Sequence, residues 1–244
     1  MQVQLASDLH LEFFVDHGRR FIDTIPVAAP NLILAGDIFV VTSTEQAIKV
    51  LGWFCAKWER VFYLPGNHEY YKGTFTGVDG RLKAAKACLK NLTLLRTGGV
   101  VEVEGRRLLG DTMWFPFKPD NVLFAKDISD FHLIERLDPQ AYDRNARFKS
   151  FLEKELRAGD IVVTHHLPSW KSVKPQFFRS PLNRFFVSDE RELIEIRKPA
   201  YWFHGHSHLA SNYTIGPTIV ASNPRGYPGS SNIKLWKPTL IFEV

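Results

Sequence analysis

Val61-Phe62-Tyr63-Leu64-Pro65-Gly66-Asn67-His68-Glu69-Tyr70 passes from an apolar run, through a Pro-Gly turn, to an amide, an imidazole and a carboxylate side by side. The run reads as a strand and Pro65-Gly66 as its end. Asn67, His68 and Glu69 can each bind a metal or handle a proton. The pentapeptide gains meaning from four other stretches that place His or Asp just past an apolar run: Asp8-Leu9-His10, Gly36-Asp37, His165-His166 and Gly205-His206-Ser207-His208. Of the nine histidines, seven lie in or beside these five stretches. They read as one site, with the rest of the chain as its support.

Working outward, Val3–Ala6 and Asn31–Ala35 are apolar runs of the kind found in buried strands. Ser43-Thr44-Glu45-Gln46 resembles a capping box, and Ala47, Leu51, Phe54, Cys55 and Trp58 keep a helical period back to the strand at Val61. This is βαβ order, in which ligands gather beyond the carboxyl ends of the strands. Val78, Leu82, Ala85 and Leu89 mark another helix, and 142–156 a third. Leu92–Leu95, Val100–Val103 and Arg107–Leu109 read as short strands joined by hairpin turns at Gly98-Gly99 and Glu104-Gly105. Ile161–Thr164 and Tyr201–Phe203 are clear strands, and a short helix is expected over 189–197. Tyr213–Ile215, Thr218–Ala221 and Leu240–Phe242 are expected to be antiparallel. The expected fold is α/β, two layered β-sheets with helices outside. The chain, 1–244, reads as a single domain with loop inserts at about 112–139 and 167–188.

Composition sets the class. A formal charge of +5 suits a protein that meets phosphates without requiring it, and no Lys/Arg block marks a nucleic-acid tail. Cys55 and Cys88 fall in helical stretches, which favours buried free thiols in a reducing compartment over a disulfide. The N-terminus runs straight into a strand, and no apolar stretch approaches a membrane span. The expectation is a soluble cytoplasmic protein of unspecified oligomeric state.

Asp8-x-His10 and His206-x-His208 each place two ligands two residues apart, hence on one face of a strand end. With Asp37, Asn67 and His165 they make seven candidate ligands. That is too many for one transition metal and enough for two sharing a carboxylate. Two ions about 3.5–4 Å apart clamp the attacking and leaving oxygens of an in-line displacement, and a hydroxide held between them is nucleophilic at neutral pH. Nitrogen and oxygen donors without thiolate suit Mn, Fe, Zn or Co, with Mn favoured.

In this order the set Asp8-x-His10, Gly36-Asp37, Gly66-Asn67-His68-Glu69, His165 and Gly205-His206-x-His208 resembles the calcineurin-like metallophosphoesterases, in particular bacterial and phage members. The resemblance implies a four-layer α/β/β/α sandwich. It implies that Asp8, His10 and His208 hold one metal, Asn67, His165 and His206 a second, and that Asp37 bridges. It places His68 at the phosphate as a proton or hydrogen-bond donor, with Glu69 orienting it or supporting the ligands. Asp37, Asn67 and His68 are then the catalytic set. His166, as substrate contact or as the ligand in place of His165, and Arg225, in the loop Asn223-Pro224-Arg225-Gly226-Tyr227-Pro228, are further candidates. Asp111 either extends the metal network or caps a loop.

The implied activity is hydrolysis of a phosphodiester or phosphomonoester through a metal-bridging hydroxide. The partner is a phosphorylated small molecule or nucleotide, with nucleic acid as a further option and no membrane. The alternatives are a partner-dependent nuclease subunit and a non-catalytic metal-binding scaffold. The 167–188 segment interleaves Trp170, Phe177, Phe178, Phe185 and Phe186 with Lys171, Lys174, Arg179 and Arg184. It fits a lid over the substrate, a nucleic-acid groove, a self-association surface or a solvated face.

Overall fold

Alternation along the strands decides the layers. In Gln2–Ala6 (β1) Val3 and Leu5 face one way and Ala6 the other. In Asn31–Ala35 (β2) Ile33 and Ala35 oppose Leu32 and Leu34, and in Arg60–Leu64 (β3) Phe62 and Leu64 oppose Val61 and Tyr63. A pleated strand with a period of two, buried on both faces, requires a partner layer on each side.

The computed structural model describes residues 1–244, with the side chain of residue 232 set aside. The remaining strands are Gly73–Thr74 (β4), Leu92–Leu94 (β5), Val100–Val103 (β6), Arg106–Asp111 (β7), Ile134–Glu135 (β8), Ile161–Thr164 (β9), Tyr201–His204 (β10), Ser211–Ile215 (β11), Thr218–Ser222 (β12) and Ile241–Glu243 (β13). The helices are Arg19–Thr24 (α1), Thr44–Cys55 (α2), Phe75–Cys88 (α3), Asp130–Leu133 (α4), Leu137–Glu155 (α5) and Arg191–Arg197 (α6). One sheet has the order β13-β1-β2-β3-β5 and the other β11-β12-β10-β9-β7-β6.

Between the sheets Val3, Leu5, Ile33 and Phe62 pack on Leu108, Ile161, Val163 and Phe203. Outside the first sheet, Leu32, Leu34, Val61 and Tyr63 meet Ala47, Leu51, Val78 and Leu82 of α2 and α3. Outside the second, Leu109, Val162, Trp202 and Val220 meet Phe148 and Leu152 of α5 and Ile194 of α6. The result is the mixed α/β, four-layer arrangement expected. Burying an aromatic such as Trp202 or Phe203 stabilises the stack by about 1.5–3 kcal/mol. β1, β2 and β3 run parallel, as do β7, β9, β10 and β12, so their carboxyl ends gather along one edge.

The capping motif forms with a shift. Ser43 Oγ accepts from Gln46 N at 3.1 Å, but Gln46 Oε1 accepts from the backbone and hydroxyl of Thr42, both at 2.8 Å.

Several expectations are corrected. Gly98-Gly99 is not a hairpin turn: β5 pairs with β3 in one sheet and β6 with β7 in the other, so the turn carries the chain between layers. Glu104-Gly105 does close a hairpin, with both residues at positive φ. β12 is antiparallel only to β11 and parallel to β10, while β13 crosses to pair antiparallel with β1. Cys55 and Cys88 are free, but Cys88, at the last turn of α3, is exposed. The 112–139 stretch is a loop only in part. Met113, Trp114 and Phe115 are fully buried, because the chain leaving β7 must first cover the sheet end.

Candidate metal centre

The ligand-bearing turns do not continue the strands. Asp8, His10, Asp37, His206 and His208 all adopt left-handed φ, between 50° and 70°. The Asp-x-His and His-x-His pairs therefore converge through tight left-handed turns, not through the strand pleat. Asp and His tolerate this region better than most residues, yet each such residue stores roughly 1 kcal/mol or more. Glycine permits the crowding. A β-carbon at Gly66 would lie 2.2 Å from Asp37 Oδ1, and one at Gly205 2.7 Å from Asp8 Oδ2.

Three groups of potential donors result: one is His10, Glu12 and His68, and the other two share a carboxylate. The donor atoms of Asp8, His10, Asp37 and His208 lie within 4.8 Å of one another, and so do those of Asp37, His165 and His206. Asp37 belongs to both. Asn67 Oδ1 joins the second, 3.0 Å from His165 Nε2 and 3.1 Å from His206 Nδ1. His165 donates its Nδ1–H to the Ala35 carbonyl at 2.9 Å, which turns Nε2 toward Asp37 Oδ2 at 3.3 Å. In the first cluster His10 Nε2 and His208 Nε2 face each other at 2.9 Å, and His208 Nε2 lies 3.4 Å from Asp8 Oδ1.

The residues present fit divalent cations. Asp8 Oδ2 is buried with no hydrogen-bond partner, and two imidazole nitrogens point at one another. Among the described residues the ion-pair neighbours of Asp8 and Asp37 are imidazoles, not Lys or Arg. Two buried carboxylates therefore await positive charge. Protons supply it here. Burial pulls His165 down, but Asp37, Asp8 and the Ala35 carbonyl outweigh it and raise the imidazole to about 10. Burial pushes Asp37 up, and His165, His68 and His10 more than reverse this, holding it well below the usual carboxylate range. Burial and neighbouring imidazoles depress His206, and burial depresses His208 to about 4, so both stay neutral, as a ligand must be.

Around the clusters lies a layer that sequence reasoning missed. Glu12 Oε1 is 3.0 Å from His10 Nδ1 and 3.0 Å from His68 Nδ1, so one carboxylate oxygen accepts from a cluster imidazole and from His68. The spacing Asp8-x-His10-x-Glu12 was the available signal. Tyr227 Oη lies 3.0 Å from His68 Nε2, and its ring packs on His10 at 4.4 Å. Burial pulls His68 down, but Asp37, Glu12 and Asp130 raise it to about 9. Asp130 Oδ1 accepts from Asn67 Nδ2 and from the Tyr71 hydroxyl, each at 2.8 Å, which fixes the Asn67 carbonyl toward the histidines.

The remaining candidates lie outside the two clusters that share Asp37. Glu69 clamps the main chain, accepting from Gly66 N at 2.7 Å, Asp37 N at 3.0 Å, Ile38 N at 2.8 Å and the Tyr63 hydroxyl at 3.0 Å. The carboxylate beside His68 is Glu12 instead. His166 sits behind His206, its Nδ1 3.2 Å from the Thr112 carbonyl and its ring against Trp114. Burial and His165 push it to about 3. Arg225 turns away: its guanidinium stacks on Phe14 and Phe21 at 4.9 and 4.7 Å, where the cation finds aromatic faces. The same loop brings Tyr227 to the site. Asp111 caps a turn, accepting from Thr97 N at 2.8 Å and Thr97 Oγ1 at 2.6 Å. His204 is a satisfied core histidine, bonded to Ser172 Oγ at 2.9 Å.

A cavity of about 350 Å³ opens over Asp37, Asn67 and His68, walled by Ser129 and Asp130 on one side and Lys174 and Phe186 on another. Both inserts thus contribute walls. A buried, doubly clustered N/O centre at the carboxyl edge of such a sandwich is one that could hold divalent metal ions. The sequence agrees. Over residues 1–210 it matches the calcineurin-like phosphoesterase family, and the chain belongs to that family of phosphoester hydrolases, which typically bind divalent metals. It is 24% identical to an uncharacterised protein of Acanthamoeba polyphaga mimivirus, over 94% of this chain and 92% of that one. Its fold is similar to phosphopantetheinyl hydrolase from Mycobacterium tuberculosis, with TM-score 0.71 and 15% identity over 93% of this chain and 90% of that one. A Thermus thermophilus protein gives 0.60 and 12% over 91% and 88%. No helix among the described residues is long and apolar enough to cross a membrane.

Proposed function

We propose that the protein is a dinuclear-cation phosphoesterase. Asp8, His10 and His208 hold one divalent cation, Asn67, His165 and His206 the other, and Asp37 is common to both, with Mn²⁺ as the favoured ion. When bound, the cations neutralise phosphoryl charge and acidify the attacking water.

The chain's own residues do the rest. Glu12 fixes the His68 ring through Nδ1 and, after Asp37, favours its protonated form. His68 Nε2 then faces the cavity and gives its proton to the departing ester oxygen, once Tyr227 Oη yields that place. Asn67 spends its N–H groups on Asp130 and Tyr71, so it orients a ligand oxygen and does not itself bind phosphate. The observation that carries the reading is one buried carboxylate, Asp37, shared by two N/O clusters beside an imidazole held by Glu12.

The test is turnover of metal-stripped protein with added Mn²⁺, on bis-p-nitrophenyl phosphate and p-nitrophenyl phosphate. Metal-dependent release of nitrophenolate is expected. Faster cleavage of the diester assigns a phosphodiesterase, and faster cleavage of the monoester a phosphatase. Two bound cations and no release from either ester would overturn the catalytic reading in favour of a scaffold or a partner-dependent nuclease subunit.

A further inference from the structure

A second cavity, of about 210 Å³, lies within the 167–188 segment beside the metal centre. The two cavities share Lys174, Leu182, Phe186 and Ser207 in their linings. Phe186 is a wall common to both, its ring packed at 4.5 Å on His206, a member of the second cluster. The two spaces therefore adjoin, one lined by the N/O centre and the other apolar.

The apolar end is built from Leu167, Val173, Phe177, Leu182 and Phe186. Its polar side chains are mostly spent on the local main chain. Ser180 Oγ accepts from Leu182 N at 3.3 Å, Ser207 Oγ accepts from Leu209 N at 3.4 Å, and Asn183 Nδ2 donates to the Phe177 carbonyl at 2.6 Å. A nucleobase brings several donors and acceptors, and burying them there would leave them unpaired. An alkyl, aryl or acyl group carries no such penalty and gains from leaving water. Lys174 is the exception to the apolar lining. It lines both cavities; burial lowers its ammonium from the usual lysine range, and the Asp8 carboxylate opposes that shift.

We propose that this pocket receives an apolar ester arm of the substrate, alkyl, aryl or acyl, while Lys174 at the junction meets the phosphoryl group. The proposal rests on the phosphoesterase reading of the adjoining centre and names the substrate class within it: a phosphoester whose arm is hydrophobic, not a nucleoside. The aromatic-rich insert is then a specificity wall. The half-exposed ring of Phe177 lies at its rim.

The test is calorimetric titration of the Mn²⁺-supplied protein with methylphosphonate, benzylphosphonate and adenosine 5′-monophosphate, with nitrophenyl ester turnover as the parallel readout. Benzylphosphonate should bind roughly ten- to thirtyfold tighter than methylphosphonate, as burial of a ring predicts. Its binding should also show the more negative heat-capacity change. Phe177→Ser, at a half-exposed position that the fold tolerates, should reduce the benzyl-to-methyl preference about threefold or more. Equal affinity for the two phosphonates overturns the pocket and leaves the metal centre standing. So does failure of both to bind while the esters are cleaved. Adenosine monophosphate binding tighter than benzylphosphonate overturns the apolar class. Absence of both binding and turnover overturns the phosphoesterase reading and the pocket together.

Discussion

The two proposed cation positions are oriented by different means. The second, with His165 and His206, is aligned by one main-chain group and one side chain: the Ala35 carbonyl holds His165 and the buried Asp130 carboxylate holds Asn67. The first, with Asp8, His10 and His208, is aligned by side chains alone, Glu12 at His10 and the Tyr227 ring at His10 and His208. A peptide carbonyl changes neither charge nor rotamer. The Glu12 carboxylate, shared between His10 and His68, ties a proposed ligand of the first position to the proposed proton donor. In the proposed centre only the second position has a main-chain group among these supports, and only the first shares its support with His68.

The largest effect tests what the two positions share. Asp37→Ala should remove both cations and lower turnover on the order of 10³-fold or more. Metal analysis that finds one ion retained breaks the idea of a common carboxylate. Next, His68→Ala should lower turnover about 10²- to 10⁴-fold with metal content unchanged. Unchanged turnover would remove His68 from the reaction.

The contrast itself is sharpened by a pair of variants. Glu12→Gln should weaken only the cation at the first position, about 10- to 100-fold, and Asp130→Asn only that at the second by a similar factor. Stepwise metal titration reads both, and equal losses at both positions would erase the distinction drawn here.

The smallest effect lies outside both clusters. Burial lowers His204 to about 4, against about 6.5 unfolded. The unfolded chain therefore binds the extra proton between those values, so this stability is full above pH 6.5 and is lost as pH falls toward 4. By pH 5 the loss is about 2 kcal/mol. His204→Gln should flatten the acid side of a urea-midpoint profile by that amount, and an unaltered profile would show that the proton is taken up elsewhere.

Much of this was legible because strand alternation and motif order are local. Val3, Ile33, Phe62, Val163 and Phe203 announce two-sided burial in their own neighbourhoods, and the five motif ends mark one edge. What escaped was set by distance or by competition. Glu12 stands two residues from His10 in the chain, but its second partner, His68, is brought to it only by the fold. Asp130 lies in a stretch without periodicity, so nothing local distinguishes it from its neighbours Asp120 and Asp127. Arg225 and Tyr227 share one loop, and the choice between them was made by Phe14 and Phe21, which offer the guanidinium a better face than the site does. Gly98-Gly99 has hairpin chemistry, but pairing partners in different sheets decide its path.

The left-handed turns at Asp8, His10, Asp37, His206 and His208 carry a consequence for anyone who evolves this protein. At each of these positions Gly would relax the backbone while deleting a donor. A library sorted only for heat resistance would therefore drift toward robust, inert proteins. Selection on such a scaffold has to read metal retention alongside melting temperature, because at these five positions the two traits pull in opposite directions.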